Sequence, residues 1–557
     1  MKEERNDILC DPALLRARLG NYPQRLIAAL LRVAAARGLD FFVIGGTVRD
    51  WLLGRTPGDL DITVAHDAVA CCRALIAELG GGAFVALGCA EEDAGRVVWQ
   101  GVTARDGLNP REPGMAGAVT ARDGLNPREP GMAGAVTARD GLNPREPGMA
   151  GAVTIDFSSF RLGAKTIEAD LRLRDYTVNA MGVSFASLLD DTVALYLIDP
   201  LHGAHDLEKK ILRACPHAFL ADPLRMLRGY RLSATLGFSL EEETKTEISH
   251  HAALIRRVSV ERISHELDLI MASGRAHAVL GEMARIGLLR QIIPELARGV
   301  GMEQPGYHHL DVFDHSLAAL GFMEEILAEP ERFYPECGQK MREYCARPGM
   351  KARLKWAALL HDLGKPETMA VREDKGERVT FYGHDQAGKE LVVRLGRELK
   401  WSNENRERIA ALIGMHMQPF HLCNVRREQP LSRKACLNLC KKAGGDLLGL
   451  FLLAMSDSLA GQGEKKPPAM ETELSGLLAE VLEIYEHYIQ PALAGPRLLS
   501  GRDLIGTFAL QPGPLFTKIL SALEVAQVEG DVLNEQDAHR WVRHYLEREQ
   551  KGGNDER

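Results

Sequence analysis

Apolar and polar positions fall into two regimes along this chain. Over residues 22–40 apolar side chains recur at three- and four-residue intervals, which predicts an amphipathic helix. The run Phe41-Phe42-Val43-Ile44 is short and continuous, as in a buried strand, and stops at Gly45-Gly46 before helical spacing resumes near 47–53. Residues 59–64 alternate like a half-buried strand. A helix over 67–79 follows, then strand-like segments at 83–87, 96–100 and 153–160, and this mixed region ends near 200. Beyond it, long helical periodicities dominate and strand signals nearly vanish. The expectation is an α/β head with a mixed sheet, followed by an all-α remainder.

The head is interrupted by an array. Residues 102–118, VTARDGLNPREPGMAGA, recur identically at 119–135 and 136–152. Five of each seventeen residues are Gly or Pro, and no apolar stripe at helical or strand spacing survives. A solenoid needs a larger unit able to bury a face. The array therefore reads as a flexible insert joining strand 96–100 to strand 153–160, of the kind surface loops tolerate.

With 557 residues, the chain is too long for one core, and roughly three or four domains are expected. No run of eighteen uncharged apolar residues occurs, so no membrane span is indicated. The N-terminal stretch carries acids and lacks the continuous apolar core of a signal peptide. Ten scattered cysteines without a CxxC pair suit reduced thiols in the cytoplasm. A net charge of −8 matters less to nucleic-acid binding than local clusters do. Those are Arg225, Arg228 and Arg231; Arg256, Arg257 and Arg262; and Arg426, Arg427, Arg433 and Lys434. Each can equally be a solvated helix face.

Candidate chemistry begins at Asp59 and Asp61, two apart on a predicted strand and so on one face. Such a pair can bind two Mg²⁺ ions, which would activate a hydroxyl and neutralise departing pyrophosphate; Asp156, on another strand, can supply a third carboxylate. Gly45-Gly46 precedes a helix N-terminus, where backbone N–H groups can hold triphosphate oxygens, with Arg49 and Asp50 in its first turns. Either piece alone is an ordinary strand end or turn. Together, GGTVRDWLLGRTPGDLDITV resembles the signature of the class II nucleotidyltransferases: CCA-adding enzymes, their CC-adding and A-adding relatives, and bacterial poly(A) polymerases.

The resemblance spans roughly residues 40–270. It implies a palm-like mixed-sheet head and an all-α neck, with domains at 1–200 (insert 102–152) and 201–300. It also implies that Asp175 meets the sugar hydroxyl while Arg174 and Asn179 support the nucleotide. Leu173 stands where the family often has a second Arg, which implies a redistributed triphosphate contact. Asp199-Pro200…Gly203 resembles the motif that hinges head to neck, and Ser259-Val260-Glu261-Arg262 a later neck motif. Ala221-Asp222-Pro223-Leu224-Arg225 resembles the amino-acid template that pairs with C or A rather than U or G, with Arg228 and Arg231 continuing that face. The family usually has Glu at Ala221, so the choice between C and A stays open.

A second constellation lies downstream. His315, the pair His361-Asp362, and Asp457 can give two nitrogens and two oxygens to one divalent transition metal, and His384 with His416 can hold a second ion. The order resembles an HD-domain metal phosphohydrolase, here all-α over 301–460, followed by a helical tail over 461–557. Lys365 can contact a phosphate or be solvated, and His308-His309 are not expected to be ligands.

These readings converge on template-independent addition of C, A or both, from CTP and ATP, to the 3′ end of tRNA. A poly(A) polymerase acting on other RNA 3′ ends is the nearest alternative. The segment ALGCAEEDAGRVVW is acidic where poly(A) polymerases of the best-known kind carry a basic-aromatic stretch, which favours tRNA. From other classes come an HD phosphohydrolase with an RNA-binding N-terminal domain and a non-catalytic RNA-binding module. The intact Asp59/Asp61 pair speaks against both. Oligomeric state is not legible in the sequence.

Overall fold

The computed structural model describes residues 7–9, 12–87, 93–100, 152–190, 192–193, 195–304, 306, 308–372, 378–495 and 497–552. The repeat array lies outside the described residues, apart from its last residue, Ala152, which opens a strand. The chain divides into two compact units, Met1–Asp222 with Ser239–Thr244, and Pro223–Phe238 with Lys245–Arg557.

The first unit is built on an eight-stranded mixed sheet. Its strands are β1 (Asp7–Leu9), β2 (Phe42–Ile44), β3 (Leu60–Val64), β4 (Ala83–Ala86), β5 (Ala94–Gln100), β6 (Ala152–Ser159), β7 (Gly182–Ser184) and β8 (Tyr196–Ile198), in the order β1-β8-β7-β2-β3-β6-β5-β4. Only β3 and β6 run parallel; the other neighbours are antiparallel. Alternation along β3 buries Leu60, Ile62 and Val64 on one face and presents Asp61 on the other. The apolar stripes of helices Gln24–Arg37 and Ala68–Leu79 pack together, and the second also lies on β4, β5 and β6.

The second helix begins without a side-chain cap of its own. Asp93, just before β5, accepts from Ala68 N–H at 2.8 Å and Val69 N–H at 3.0 Å, and so satisfies that helix end from a distance.

The head extends past the expected boundary near 200. Asp199 accepts from Gly203 N–H at 2.7 Å and Ala204 N–H at 2.9 Å, and Asp206 accepts from Thr177 Oγ1 at 2.7 Å. Cys215 N–H donates to Asp175 O at 3.0 Å, which folds residues 199–222 back onto the 174–179 segment. A Cβ at Gly203 would meet Thr177 O at 2.0 Å, so only glycine allows this approach.

The parallel strand pair Ile211–Leu212 with Ser239–Leu240 belongs to the first unit, and among the described residues the second unit is helical apart from the antiparallel pair Ala370–Arg372 with Arg378–Thr380. Helix Leu224–Leu236 packs on Val260–Ala272, which packs on Met350–Leu360. Helices Val312–Ala328, Met350–Leu360 and Leu447–Ala460 contact one another, and His384–Glu398 pairs with Asn403–Met415. The tail helices Gly501–Phe508, Pro514–Glu529 and Glu535–Gly552 close around their own core of Leu504, Ile519, Leu523 and Val542. The run Arg433–Ala460 is long and apolar enough to cross a membrane, yet most of its apolar stretch is buried in the fold, as in a core helix. The eight cysteines among the described residues are free and buried.

Candidate active site and metal centre

Register builds the first site. In the parallel pair β3–β6, Asp61 lies opposite Asp156; in the antiparallel pair β5–β6, Asp156 lies opposite Arg96. Three neighbouring strands thus present Asp61, Asp156 and Arg96 side by side. Asp59 sits one residue before β3 and joins them: Arg96 Nη2 donates to Asp59 Oδ2 at 3.2 Å. Arg96 also grips Asp156 through both oxygens, Nε to Oδ1 at 2.7 Å and Nη2 to Oδ2 at 2.8 Å.

Asp61 is held from helix Gly45–Leu52. Its Oδ2 accepts from Thr47 N–H at 3.2 Å, and Thr47 Oγ1 donates to Asp59 O at 3.0 Å. Gly45, at φ +66°, makes the turn, and Cβ atoms at Gly45 and Gly46 would approach Asp61 Oδ2 to 3.5 and 3.4 Å. The helix N-terminus is partly spoken for, since Gly45 N–H donates to Met181 O at 3.1 Å and Thr47 N–H serves Asp61. Burial raises the Asp61 carboxyl to about 6, and the Asp156 charge adds to it. Asp156, and more weakly Asp59, repel the ionised form of this half-buried carboxyl, a repulsion that a divalent cation bound there would relieve.

Nucleotide-facing candidates cluster at the same edge. Arg49 Nη1 donates to Asn179 Oδ1 at 2.7 Å, and Asn179 Nδ2 donates to Asp175 Oδ1 at 3.1 Å. Arg174 is buried and donates to the fully buried Asp170 at 3.0 Å; Asp170 also holds Arg161 at 3.2 Å. Burial and the Arg161 charge lower the Arg174 guanidinium to about 10. Asp222 ends the first unit, and Arg225 is in the first turn of helix Leu224–Leu236 in the second. On that helix, Arg231 Nε donates to the buried Glu266 at 2.6 Å and Arg228 Nε reaches the same carboxylate at 3.5 Å. Arg228 and Arg231 thus have a protein counter-charge that the sequence did not suggest.

The other basic clusters differ. Arg256, Arg257 and Arg262 are exposed. Arg426 pairs with Glu480 at 2.8 Å, Arg427 with Glu473 at 2.7 Å, and Arg433 lies 3.5 Å over the Tyr488 ring, so these three arginines have partners within the fold, while Lys434 is exposed.

The second site lies wholly in the helical unit. His315 Nε2 is 3.2 Å from His361 Nε2 and 3.0 Å from Asp457 Oδ1. His361 Nε2 is 3.2 Å from Asp362 Oδ2, and His384 Nε2 is 3.1 Å from His416 Nε2 and 3.5 Å from Asp362 Oδ1. Asp362 therefore links the two histidine pairs. Carbonyls of Ala358, Phe381 and Ile413 lie 2.8, 2.8 and 2.7 Å from Nδ1 of His361, His384 and His416. Protonated at Nδ1, these rings turn bare Nε2 atoms inward, the arrangement metal ligands need. The donor set fits one or two divalent ions.

Burial lowers His416 to about 4 and also lowers His384. Burial opposes the charge on His361 too, but Asp362 and Asp457 outweigh it and raise the group to about 10. Against expectation, His308 joins the cluster: its ring centroid is 4.3 Å from that of His315, and it shares a potential ligand group with His315 and Asp457. Lys365 is buried and donates to Asp362 at 2.6 Å, so it is not simply solvated. The cluster floors a cavity of about 500 Å³ whose walls include Arg427, Lys466, Phe381 and Phe420.

Residues 237–299 match a family described as the probable RNA and SrmB-binding site of polymerase A, and residues 312–440 match the HD domain. Over 512 residues the chain is 31% identical to an A-adding tRNA nucleotidyltransferase of Deinococcus radiodurans, covering 91% of this chain and 95% of that protein. The chain belongs to the tRNA nucleotidyltransferase family. A CC-adding tRNA nucleotidyltransferase of Thermus thermophilus is 29% identical over 509 residues, 90% of this chain and 93% of that one. A Thermotoga maritima CCA-adding enzyme solved with tRNA superimposes with a TM-score of 0.54 at 17% identity, over 97% of each chain. A CCA-adding enzyme solved with CTP gives 0.56 at 18%, over 96% and 98%.

These structural likenesses speak for the fold, an α/β head followed by helical units. Within this tRNA nucleotidyltransferase fold, sequence reading missed Arg96 and Glu266. Arg96 stood in an acidic segment and gave no sign of the strand register that aims it. Glu266 is a carboxylate on the inner face of an amphipathic helix, a signal that could have been read.

Proposed function

We propose that this chain adds C, A or both, from CTP and ATP, to the 3′ end of tRNA in the cytoplasm. The observation that carries the reading is the register of β3, β6 and β5, which sets Asp61 beside Asp156 and within one arginine of Asp59. Asp59, Asp61 and Asp156 would hold Mg²⁺, which supplies charge neutralisation for the attacking 3′-hydroxyl and the leaving pyrophosphate. Arg174 and Arg49 give positive charge to the triphosphate, and the Arg49–Asn179–Asp175 chain of hydrogen bonds fixes Asp175 for the ribose. The backbone at Gly45-Gly46 lets the triphosphate approach without a side chain in the way. Asp222 and Arg225 are assigned base selection from their motif, with Arg228 and Arg231 supporting that helix face.

In the HD unit, His315, His361, Asp362, His384, His416 and Asp457 would hold a divalent transition metal, and a metal held beside this cavity would suit hydrolysis of a phosphate ester. The named relatives split between A-adding and CC-adding enzymes, so specificity is the first thing to test. Purified protein with Mg²⁺ is given tRNA transcripts ending before CCA, after C and after CC, with each labelled nucleotide supplied separately and a generic RNA as control. Ordered C, C, A addition confined to tRNA identifies a full CCA enzyme, and addition of only C or only A a partial one. Long A-tails on generic RNA overturn the tRNA reading in favour of a poly(A) polymerase.

A further inference from the structure

The geometry points to Arg96 as a positioning residue of the transfer site: it orients Asp156, screens the carboxylates from one another, and sets how tightly they take a divalent cation. The inference rests on the reading of Asp59, Asp61 and Asp156 as a metal-binding group.

Three observations lead there. First, the Arg96–Asp156 contact is a two-point fork, at 2.7 and 2.8 Å, with Arg96 side-chain exposure of 28% and Asp156 exposure of 20%. Such pairs fix a carboxylate plane in a way a single charge does not. Second, Nη2 reaches past the strand pair to Asp59, which is not in the sheet register, at 3.2 Å. An arginine that only tied β5 to β6 would have no reason to span both acids. Third, Asp61 Oδ2 accepts from Thr47 N–H at 3.2 Å and Thr47 Oγ1 at 3.3 Å, while the Arg96 hydrogen bonds go to Asp59 and Asp156.

The arginine therefore divides the three acids. Asp156 retains its guanidinium through both oxygens, each of which still has a lone pair. An incoming ion draws on Asp61 and must share or take Asp59 from Arg96. A positive charge one carboxylate away also opposes the cation directly. Arg96 thus trades cation affinity for an ordered, partly neutralised site before the ion arrives.

The test is Mn²⁺ binding to the full chain by electron paramagnetic resonance, in a His361→Ala, Asp362→Ala background that disables the HD cluster. Arg96→Gln should tighten Mn²⁺ binding about tenfold, the order expected when a unit charge near a divalent ion is removed at partly exposed dielectric. Its thermal midpoint in EDTA should fall, with Mn²⁺ restoring more of it than in the parent. Turnover at saturating metal should drop, because Asp156 loses its clamp. Arg96→Lys keeps the charge without the fork, so affinity should stay near the parent's while turnover still drops. A purely structural ion pair would leave affinity unmoved or weaker in Arg96→Gln, and that result overturns the inference. Asp61→Asn separates the two levels of the argument. If it abolishes tight Mn²⁺ binding while Arg96→Gln changes nothing, only the role of Arg96 fails. If it leaves binding intact, the metal-site reading fails, and the Arg96 role with it.

Discussion

Replacing Asp170 by Asn removes the carboxylate that two guanidiniums share inside the head. Its side chain is 0% exposed and accepts from Arg161 Nη1 at 3.2 Å and Arg174 Nη2 at 3.0 Å, while its Oδ1 also accepts from Arg161 N–H at 2.9 Å. Arg174 is itself 9% exposed, so it cannot turn to water for compensation. Removing one partner of a buried pair costs about 3–5 kcal/mol. Asn keeps one acceptor oxygen, and Arg161, at 35% exposure, can hydrate. The lower end, about 3 kcal/mol, is therefore expected, more than a hundredfold in the folding equilibrium. At about 2–4 °C per kcal/mol for a domain of this size, the head transition should fall by about 6–12 °C.

Differential scanning calorimetry suits a chain of several cooperative units, because the endotherm of the helical unit serves as an internal control. The linkage has a definite sign. Burial opposes ionisation of Asp170, but Arg174 and Arg161 outweigh it and lower its folded pKa. Its stabilisation is therefore fully present above the unfolded carboxylate value of about 3.9 and is lost as pH falls through the folded value. Asp170→Asn should lack that component of the acid profile. A head transition that moves less than about 2 °C would mean that Arg174 is not held by Asp170, and the reasoning would be wrong.

Two further outcomes follow from other parts of the molecule. Loading the HD cluster with Mn²⁺ should expel close to one proton per cluster, because His361 is held at about 10 and must be neutral to bind metal. Affinity should then rise with pH through the neutral range; calorimetry in two buffers of different ionisation enthalpy counts the proton, and a count of zero sinks the assignment. Deleting residues 119–152 removes two repeats and should leave folding intact, since β5 and β6 pair up to Gln100 and Ala152 on either side of the array. Shortening the connection threefold is worth at most about 1 kcal/mol of loop entropy, in the stabilising direction; a large drop in thermal midpoint would show that the repeats pack.

Much of the head was legible because its signals are local. Alternation at 59–64 put Asp59 and Asp61 on one face, and the Gly45-Gly46 break announced the turn before a helix. The likeness of successive motifs then ordered the remaining candidates. What the sequence did not disclose depends on contacts between distant segments. Arg96 becomes part of the site only through a strand pairing that closes across the repeat array. Asp93 caps a helix that starts at Ala68, and Asp199 and Asp206 fold residues beyond 200 back onto the head. In the HD unit the ordered histidines and aspartates were readable as a ligand set, whereas His308 was set aside because nothing local shows the 300–311 segment bringing its ring against His315. Lys365 was ambiguous in the same way, since a lysine after a turn is usually solvated; here Asp362 and Gln304 hold it inside.

The central claim is that the Asp59, Asp61 and Asp156 group performs nucleotide addition to tRNA. Its most direct test measures incorporation of labelled CMP and AMP into tRNA by the wild type and by Asp59→Ala, alongside tRNA binding by gel shift. The account predicts that incorporation is abolished, by at least about a thousandfold, while binding changes little. Incorporation that persists in Asp59→Ala would contradict the claim and place the chemistry elsewhere in the chain.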